Sequence, residues 1–228
     1  MNNPSKYVIK LTGSLFEPES FSSLRSIAEV AIDRRDDFKG VFVCGGGKTL
    51  RKWLTNLREN SNSMEYDLDY LGIEFTRINA RILMLLLKPH VYPFIPTSIH
   101  EAILIAKNID KHIVMGGVSP GFSTNAVAAF LAKELGYRLI NITSAGGVYD
   151  KDPKLASDAQ ILDKIHIDDL IKMLSDRVEY AGSYPLFDLT SLNIIKKYSI
   201  KTYVIGPEKD QLVKLLNGES VGTEIIFD

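Results

Sequence analysis

The sequence predicts an α/β protein: a largely parallel sheet covered on both faces by helices. Two observations carry this. Short apolar or β-branched runs alternate with helical periodicities along the chain. Several of those runs are continuously apolar rather than alternating, as in strands buried on both faces. A third observation points to the functional edge. Four glycine-bearing loops, at Gly13, Gly45–Gly47, Gly116–Gly121 and Gly146–Gly147, fall at predicted strand ends. Ligands of such sheets sit at the carboxyl ends of the strands.

The first strand is Tyr7 to Leu11, ended by Gly13-Ser14. Phe21, Leu24, Ile27, Ala28 and Ala31 have helical spacing and predict a helix over 21–32. Val41 to Cys44 is a buried strand, broken by three glycines, and a helix resumes from Lys48 to Leu57. After the polar loop 60–63 comes the longest helical pattern, Asp69 to Leu87, with Leu71, Phe75, Ile78, Ile82 and Leu85 as its apolar stripe. Val91 to Ile95 reads as a strand between prolines. Ser98 caps a helix to about Lys107, with Glu101 completing a capping box. His112 to Met115 is a strand whose glycine-rich exit leads into a small-residue helix, Ala126 to Leu135. The remaining elements are a strand over Arg138–Thr143, a helix over Ile167–Leu174, a helix capped by Asp188 and ending near Tyr198, a strand over Lys201–Ile205, a helix over Glu208–Leu216 and a last strand over Thr223–Phe227. No linker, low-complexity tract or internal repeat interrupts the 228 residues, which are expected to form one domain.

Bulk properties exclude several function classes. Hydrophobic residues make up 45% and charged residues 24%, ordinary for a globular chain able to bury a core. The formal net charge is −1, so no global field favours nucleic acid or an anionic membrane. The longest apolar run, Ile82 to Leu87, is too short to span a bilayer, and no signal-peptide hydrophobic region opens the chain. A cytoplasmic protein is expected. The single cysteine, Cys44, ends an apolar run and reads as a buried, inert thiol. No two of His90, His100, His112 and His166 have metal-ligand spacing, so each is expected on the surface or in packing, and no protein-held metal is expected.

Familiar nucleotide motifs fail. Gly47-Lys48-Thr49 resembles the end of a P-loop, but Phe42 stands where its leading glycine belongs. Leu50 occupies the third glycine position of a dinucleotide fingerprint. What remains is a set of loops able to cradle phosphate. Met115 to Ala126 delivers Gly116, Gly117 and Gly121 into a helix N-terminus, where backbone N–H groups and the helix dipole favour an anion. Ser119, Ser123 and Thr124 add hydroxyls. A βα turn with capping Ser and Thr reads the same residues without a ligand. Lys10 lies inside an apolar strand, which is costly unless the ammonium is paired. It either bridges phosphates or snorkels from an edge strand. Arg51, one turn past the triple glycine, faces the same mouth or is solvated. Asp69 caps the long helix or holds a sugar hydroxyl.

In their order and spacing these pieces resemble the amino acid kinase family, and within it the archaeal-type uridylate kinases. The segments that carry the likeness are Lys10–Ser14, Gly45–Arg51, Asp69–Ala80, Gly116-Gly117 with Pro120-Gly121 and Ser123-Thr124, Gly147-Val148-Tyr149 with Asp152-Pro153, and Ala181-Gly182-Ser183. The resemblance implies a three-layer αβα sandwich that transfers the γ-phosphoryl group of ATP, with Mg²⁺, to UMP. It implies an acceptor side over about residues 1–135 and an ATP side over about 136–228. By that likeness Lys10 is catalytic, and Gly13, Ser14, Gly47 and Arg51 face ATP. Thr143, Ser144, Tyr149 and Asp152 also belong to the ATP side, towards the adenine end. Gly46 touches UMP and Asp69 its ribose. Val118, Ser119, Pro120, Gly121, Phe122, Ser123 and Thr124 hold its phosphate and base. A hexamer is implied, with the Asp69–Leu87 helix as an interface element. No nucleic acid or membrane partner is implied.

Three departures stand out. The family carries Thr-Asn-Val-Asp-Gly-Val-Tyr where this chain has Thr143 to Tyr149, so a carboxylate that orients a lysine is replaced by Gly146. Asn125 stands where aspartate is common, and Phe122 replaces a polar residue. They leave two alternatives open: a non-catalytic nucleotide-binding regulator on the same fold, or a kinase of this family with another small acceptor.

Overall fold

The computed structural model describes residues 4–153, 156–176 and 186–228. Its strands are β1 (Ser5–Leu11), β2 (Phe38–Cys44), β3 (Ile113–Met115), β4 (Arg138–Ile142), β5 (Lys164–His166), β6 (Thr202–Ile205) and β7 (Thr223–Ile226). Its helices are α1 (Phe21–Asp33), α2 (Gly47–Asn60), α3 (Glu65–Leu87), α4 (Ile99–Asn108), α5 (Thr124–Leu135), α6 (Ile167–Asp176), α7 (Leu189–Lys197) and α8 (Lys209–Leu216). Two 3₁₀ turns, Gly13–Phe16 and Pro18–Ser20, join β1 to α1.

The strands form one sheet in the order β3-β2-β1-β4-β6-β7-β5. The pairs from β3 to β6 are parallel. β7 runs antiparallel to β6, and β5 runs parallel to β7, so one end of the sheet is reversed. Strand alternation divides the core. Tyr7, Ile9, Leu11, Phe42, Ile140 and Ile142 pack under α1, α3 and α8. Val8, Val41, Val43, Leu139 and Val204 face α4, α5, α6 and α7. Both faces are covered, so these strands are apolar at successive positions, as the sequence pattern required. Truncating the fully buried Phe42 to alanine would cost about 3–5 kcal/mol.

The structure corrects four readings of the sequence. The segment Val91–Ile95 is not a strand: only Val91 bridges, to His112. Pro93 and Pro96 lack the N–H groups a ladder needs. A short strand that the sequence did not announce, β5, lies at the other sheet edge, with Ile165 as its one buried residue. The long helix begins at Glu65 rather than Asp69, and the Met64 N–H donates to Asp67 Oδ2 at 3.1 Å, so Asp69 is not the cap. Its buried face is also a different one. Leu68, Ile73, Thr76, Ala80, Leu83 and Leu87 are buried, whereas Ile78 and Leu85 of the expected stripe are 53% and 61% exposed. The helix is apolar on more than one side, so periodicity alone identified a helix without identifying which side meets the sheet.

Ser98 and Asp188 cap their helices as expected, but the capping box expected at Glu101 is not completed. Ser98 Oγ accepts from the Glu101 N–H at 3.1 Å, but the Glu101 carboxylate takes the Thr97 N–H rather than that of Ser98. Asp188 Oδ1 accepts from the Ser191 N–H at 2.9 Å at the start of α7. Among the described residues no helix is long and apolar enough to cross a membrane. Cys44 is buried, and that burial pushes its thiol pKa far up, which leaves it inert. His112 is a packing residue: its Nδ1 accepts from the Gly40 N–H, and its Nε2 donates to the Ala31 carbonyl.

Candidate active site

Strand order places the four glycine loops side by side, at the carboxyl ends of β3, β2, β1 and β4. Hydrogen bonds lace them together. The Gly45 N–H donates to the Leu11 carbonyl, Thr12 N–H to Ile142, and Thr143 N–H to Ile205, each at 2.9 Å. The loops after β1 and β2 touch through their backbones. A Cβ on Gly13 would lie 1.9 Å from the Gly47 nitrogen, and Gly47 has a φ of +95° with the Gly13 carbonyl oxygen 2.7 Å from its own ideal Cβ. Only glycine fits at either position.

Lys10 lies on β1, a central strand between β2 and β4, so the edge-strand reading is excluded. It is 1% exposed and belongs to the α5 and α7 face, near the carboxyl end of its strand. A lysine buried there is the residue in the sheet whose cost most needs a functional account.

The N-terminus of α2, which follows the Gly45–Gly47 loop, is occupied by a side chain. Glu17 Oε1 accepts from the Lys48 N–H at 2.7 Å and the Thr49 N–H at 2.9 Å, and Oε2 accepts from the Thr49 hydroxyl. Burial pushes the Glu17 pKa up, but the Thr49 and Lys48 hydrogen bonds outweigh it and hold the carboxyl below the usual glutamate range. Glu17 therefore fastens the β1 turn to α2. The Gly45 N–H, just before it, is likewise taken, by the Leu11 carbonyl.

α3 holds the same loops from the other side. Asn79 Nδ2 donates to the Gly45 carbonyl at 2.7 Å and to the Gly46 carbonyl at 3.3 Å. Thr76 Oγ1 accepts from the Gly117 N–H at 2.7 Å while donating to the Ile73 carbonyl. A Cβ on Gly116 would fall 2.6 Å from Thr76 Oγ1. Asp69 Oδ2 accepts from the Gly121 N–H at 2.8 Å. Glu17, Thr76 and Asn79 were not singled out from the sequence. The available signal was polar residues at positions 76 and 79, three apart, inside a helix otherwise rich in apolar residues.

The loop Val118–Thr124 follows β3 and enters α5. Gly121 is in the left-handed region at φ +75°, and the Phe122 N–H closes a turn onto the Ser119 carbonyl. Phe122 is half-buried against the α5 and α7 side of the core. Ser123 caps α5 by accepting from the Ala126 N–H at 3.0 Å, and its hydroxyl donates to Asp188, the cap of α7. Its hydroxyl is thus engaged between two helix starts.

At the exit of β4, Thr143 is buried and Ser144 exposed. The Gly146 N–H turns back onto the Thr143 carbonyl, and Gly146 has a φ of +81°. Tyr149 bridges to Ile161, and the Asp152 carbonyl accepts from the Ala156 N–H. The residues assigned to ATP thus form two groups, Gly13, Ser14 and Gly47 beyond β1 and β2, and Thr143, Ser144, Tyr149 and Asp152 beyond β4. The groups adjoin because β1 and β4 are neighbours. Arg51 is exposed on α2. The segment Ala181–Ser183 lies outside the described residues. Among the described residues no group of three or more His, Cys, Asp or Glu side chains could hold a metal ion.

A doubly covered parallel sheet that ends in four contiguous glycine loops, with a lysine buried beneath them, defines an α/β protein built to handle phosphate. The chain belongs to the amino acid kinase family, whose sequence profile matches residues 5–206. It is 36% identical to the uridylate kinase of Methanobrevibacter smithii over 97% of this chain and 99% of that one. It is 35% identical to the uridylate kinase of Methanothermobacter thermautotrophicus, with 97% and 99% covered. The crystal structure of uridylate kinase from Archaeoglobus fulgidus superimposes with a TM-score of 0.85 at 34% identity, covering 97% of this chain and 100% of that one.

Proposed function

We infer that this chain is a nucleoside monophosphate kinase that uses ATP to convert UMP to UDP. The observation that carries the inference is the convergence of the glycine loops above Lys10, in a chain whose full-length relatives are uridylate kinases. A phosphate oxygen of UMP attacks the γ-phosphorus of ATP, and the bond from that phosphorus to the bridging oxygen breaks as ADP leaves. The acceptor is already anionic at neutral pH, so no general base is required. Positioning and charge stabilisation then supply the catalysis.

In this reading Lys10 meets the transferred phosphoryl group. Gly13, Ser14, Gly47 and Arg51 hold the ATP phosphates, and Thr143, Ser144, Tyr149 and Asp152 the nucleoside end. Gly46, Asp69 and the loop from Val118 to Thr124 take UMP, which sets the acceptor side over about residues 1–135. Magnesium enters as MgATP, as part of the substrate. A cytoplasmic homo-oligomer, hexameric by resemblance, belongs to the same reading, and the exposed Ile78 and Leu85 on α3 support a buried interface there.

The test is UDP formation from MgATP across UMP, CMP, dUMP, AMP and GMP, with Lys10→Ala as control. Rapid, Lys10-dependent UDP release is expected. UMP binding by calorimetry without turnover would replace this reading by a regulatory nucleotide-binding protein, the alternative that Gly146 and Asn125 favour. Turnover of another acceptor alone would redirect it.

A further inference from the structure

The opposite edge of the sheet, at the amino ends of the strands, carries a concentration of cations to which the kinase reading gives no role. Lys39 and Lys6 are the second residues of β2 and β1, Arg138 opens β4, and Lys201 immediately precedes β6. In the parallel register Lys6 lies opposite Lys39. Like charges placed opposite each other on neighbouring strands oppose the pairing. Lys6 and Lys10 are four residues apart on β1, about 13 Å at the usual rise, so this edge is separate from the glycine-loop cleft.

Two hollows open along that edge, and Tyr137 lines both. One, of about 180 Å³, lies among Lys6, Lys39, Lys107 and Lys111, and among the described residues Asp110 is its single acidic neighbour. The other, of about 350 Å³, is lined by Lys133, Arg138 and Lys201 and, among the described residues, by no acid. Part of this charge is answered. Lys39 pairs with Asp110 at 3.1 Å, and Lys133 and Lys201 pair with Glu134 and Glu224, which lie outside the hollows. Lys107 and Lys133 stand in the last turns of α4 and α5, where a cation suits the helix dipole. Lys6, Lys111 and Arg138 meet no carboxylate among the described residues. Lys6 and Arg138 lie over the rings of Tyr137 and Tyr7, and Lys111 Nζ donates to the Pro89 carbonyl. In a chain of net charge −1, this is a local surplus of positive charge in a concave place.

We propose that the amino-terminal edge of the sheet is a second anion site, for a small ligand that carries two or more phosphate groups. Ammonium groups and an arginine fork converging on a hollow suit phosphate oxygens. The row crosses four neighbouring strands, β2, β1, β4 and β6, a span of about 14 Å. Beyond it the next hollow is balanced, with Arg138, Lys164 and Lys201 set against Asp163, Glu219 and Glu224. A nucleic-acid strand needs a basic track that continues, so the short row favours a small ligand. The site goes beyond the kinase reading and does not depend on it, because neither this edge nor its ligand belongs to the cleft assigned to ATP and UMP.

The probes are inorganic tripolyphosphate and fructose 1,6-bisphosphate, titrated by calorimetry into the full chain. A binding event with a Kd below about 0.1 mM is expected at physiological salt. It should weaken at least about tenfold in Lys6→Gln/Arg138→Gln, which removes one cation from each hollow, and stay unchanged in Arg51→Ala and in Lys172→Gln. The tighter probe names the source, a phosphate chain or a phosphate ester. Lys6, Lys111 and Arg138 are exposed, so the variants are expected to fold. Lys6→Gln and Lys111→Gln singly, each expected to weaken binding at least about threefold, decide the matter if the double variant does not. Raising the salt about tenfold should also weaken binding, since the contacts are exposed charges. Failure of both probes to bind, binding that the Lys6 and Arg138 exchanges leave unchanged, or binding indifferent to salt overturns the proposal. So does a loss confined to Arg51→Ala, which places the anion in the glycine-loop cleft. Tighter binding of a short single-stranded oligonucleotide, lost in the same double variant, overturns the small-ligand assignment in favour of nucleic acid.

Discussion

The carboxylate of Asp69, in the second turn of α3, accepts a hydrogen bond from the backbone N–H of Gly121 at 2.8 Å. This joins the helix to the loop after β3, and it commits to each other two groups assigned to one ligand. Under the proposed function, a nucleotide ribose that took Asp69 would release the Gly121 N–H for the nucleotide's phosphate. Asp69→Ala is expected to raise the KM for UMP about tenfold or more, the loss of a charged hydrogen bond, with kcat within about threefold. Steady-state kinetics at saturating MgATP checks this. A selective rise in the KM for ATP would reverse the assignment of the cleft.

Arg51 projects from the exposed side of α2, beyond the Gly45–Gly47 loop. Its alanine variant should raise the KM for ATP more than that for UMP, because α2 starts beside the β1 turn assigned to ATP. The opposite ranking would show that the helix serves the acceptor.

Glu17 accepts three hydrogen bonds at the start of α2, and its carboxyl is held below the usual range. Glu17→Ala should cost about 1–2 kcal/mol of stability, as loss of a helix cap does. The sign with pH follows from the depressed value. The contribution is complete above the unfolded glutamate pKa and is lost as pH falls below about 4. Chemical denaturation should therefore show wild type and variant converging towards pH 3. A gap of constant size would mean that the carboxylate's charge is irrelevant.

His112 is neutral between Gly40 and Ala31. Burial depresses its pKa to about 4, against the upward pull of its hydrogen bond with the Ala31 carbonyl. A depressed value means stability that is present above the unfolded histidine pKa and is lost as pH falls towards 4. The loss amounts to about 3 kcal/mol between pH 6.5 and 4. His112→Phe should be less stable at pH 7 yet show a flatter decline across that window. An unchanged slope would place the proton uptake elsewhere.

Much of this architecture is legible in the residues. Val41–Cys44, Ile113–Met115 and Leu139–Ile142 announce buried strands through their composition. Gly13 and Gly47 announce close approaches that a Cβ would block, and Gly121 a left-handed turn. Ser98, Ser123 and Asp188 announce helix starts through side chains that bond backbone three residues away. These are local rules, satisfied within one element or one loop, and a linear sequence states them directly.

Other features depend on residues that meet only when the sheet assembles. Which side of α3 is buried was settled by contact with the sheet and its loops, since Ile78 and Leu85 are as apolar as the buried Ile73 and Leu83. The anchoring of Gly45 by Asn79, of Gly117 by Thr76 and of α2 by Glu17 joins positions far apart in the chain. The reversal of β7 and β5 is a matter of pairing, not composition. Lys10 shows the division most plainly. The sequence by itself determined that a lysine interrupts an apolar strand just before a glycine turn. Only the tertiary structure decided that this strand is central, that the lysine is buried, and that Asn141 lies opposite it, because strand order and register are fixed by packing on two faces rather than by any local propensity.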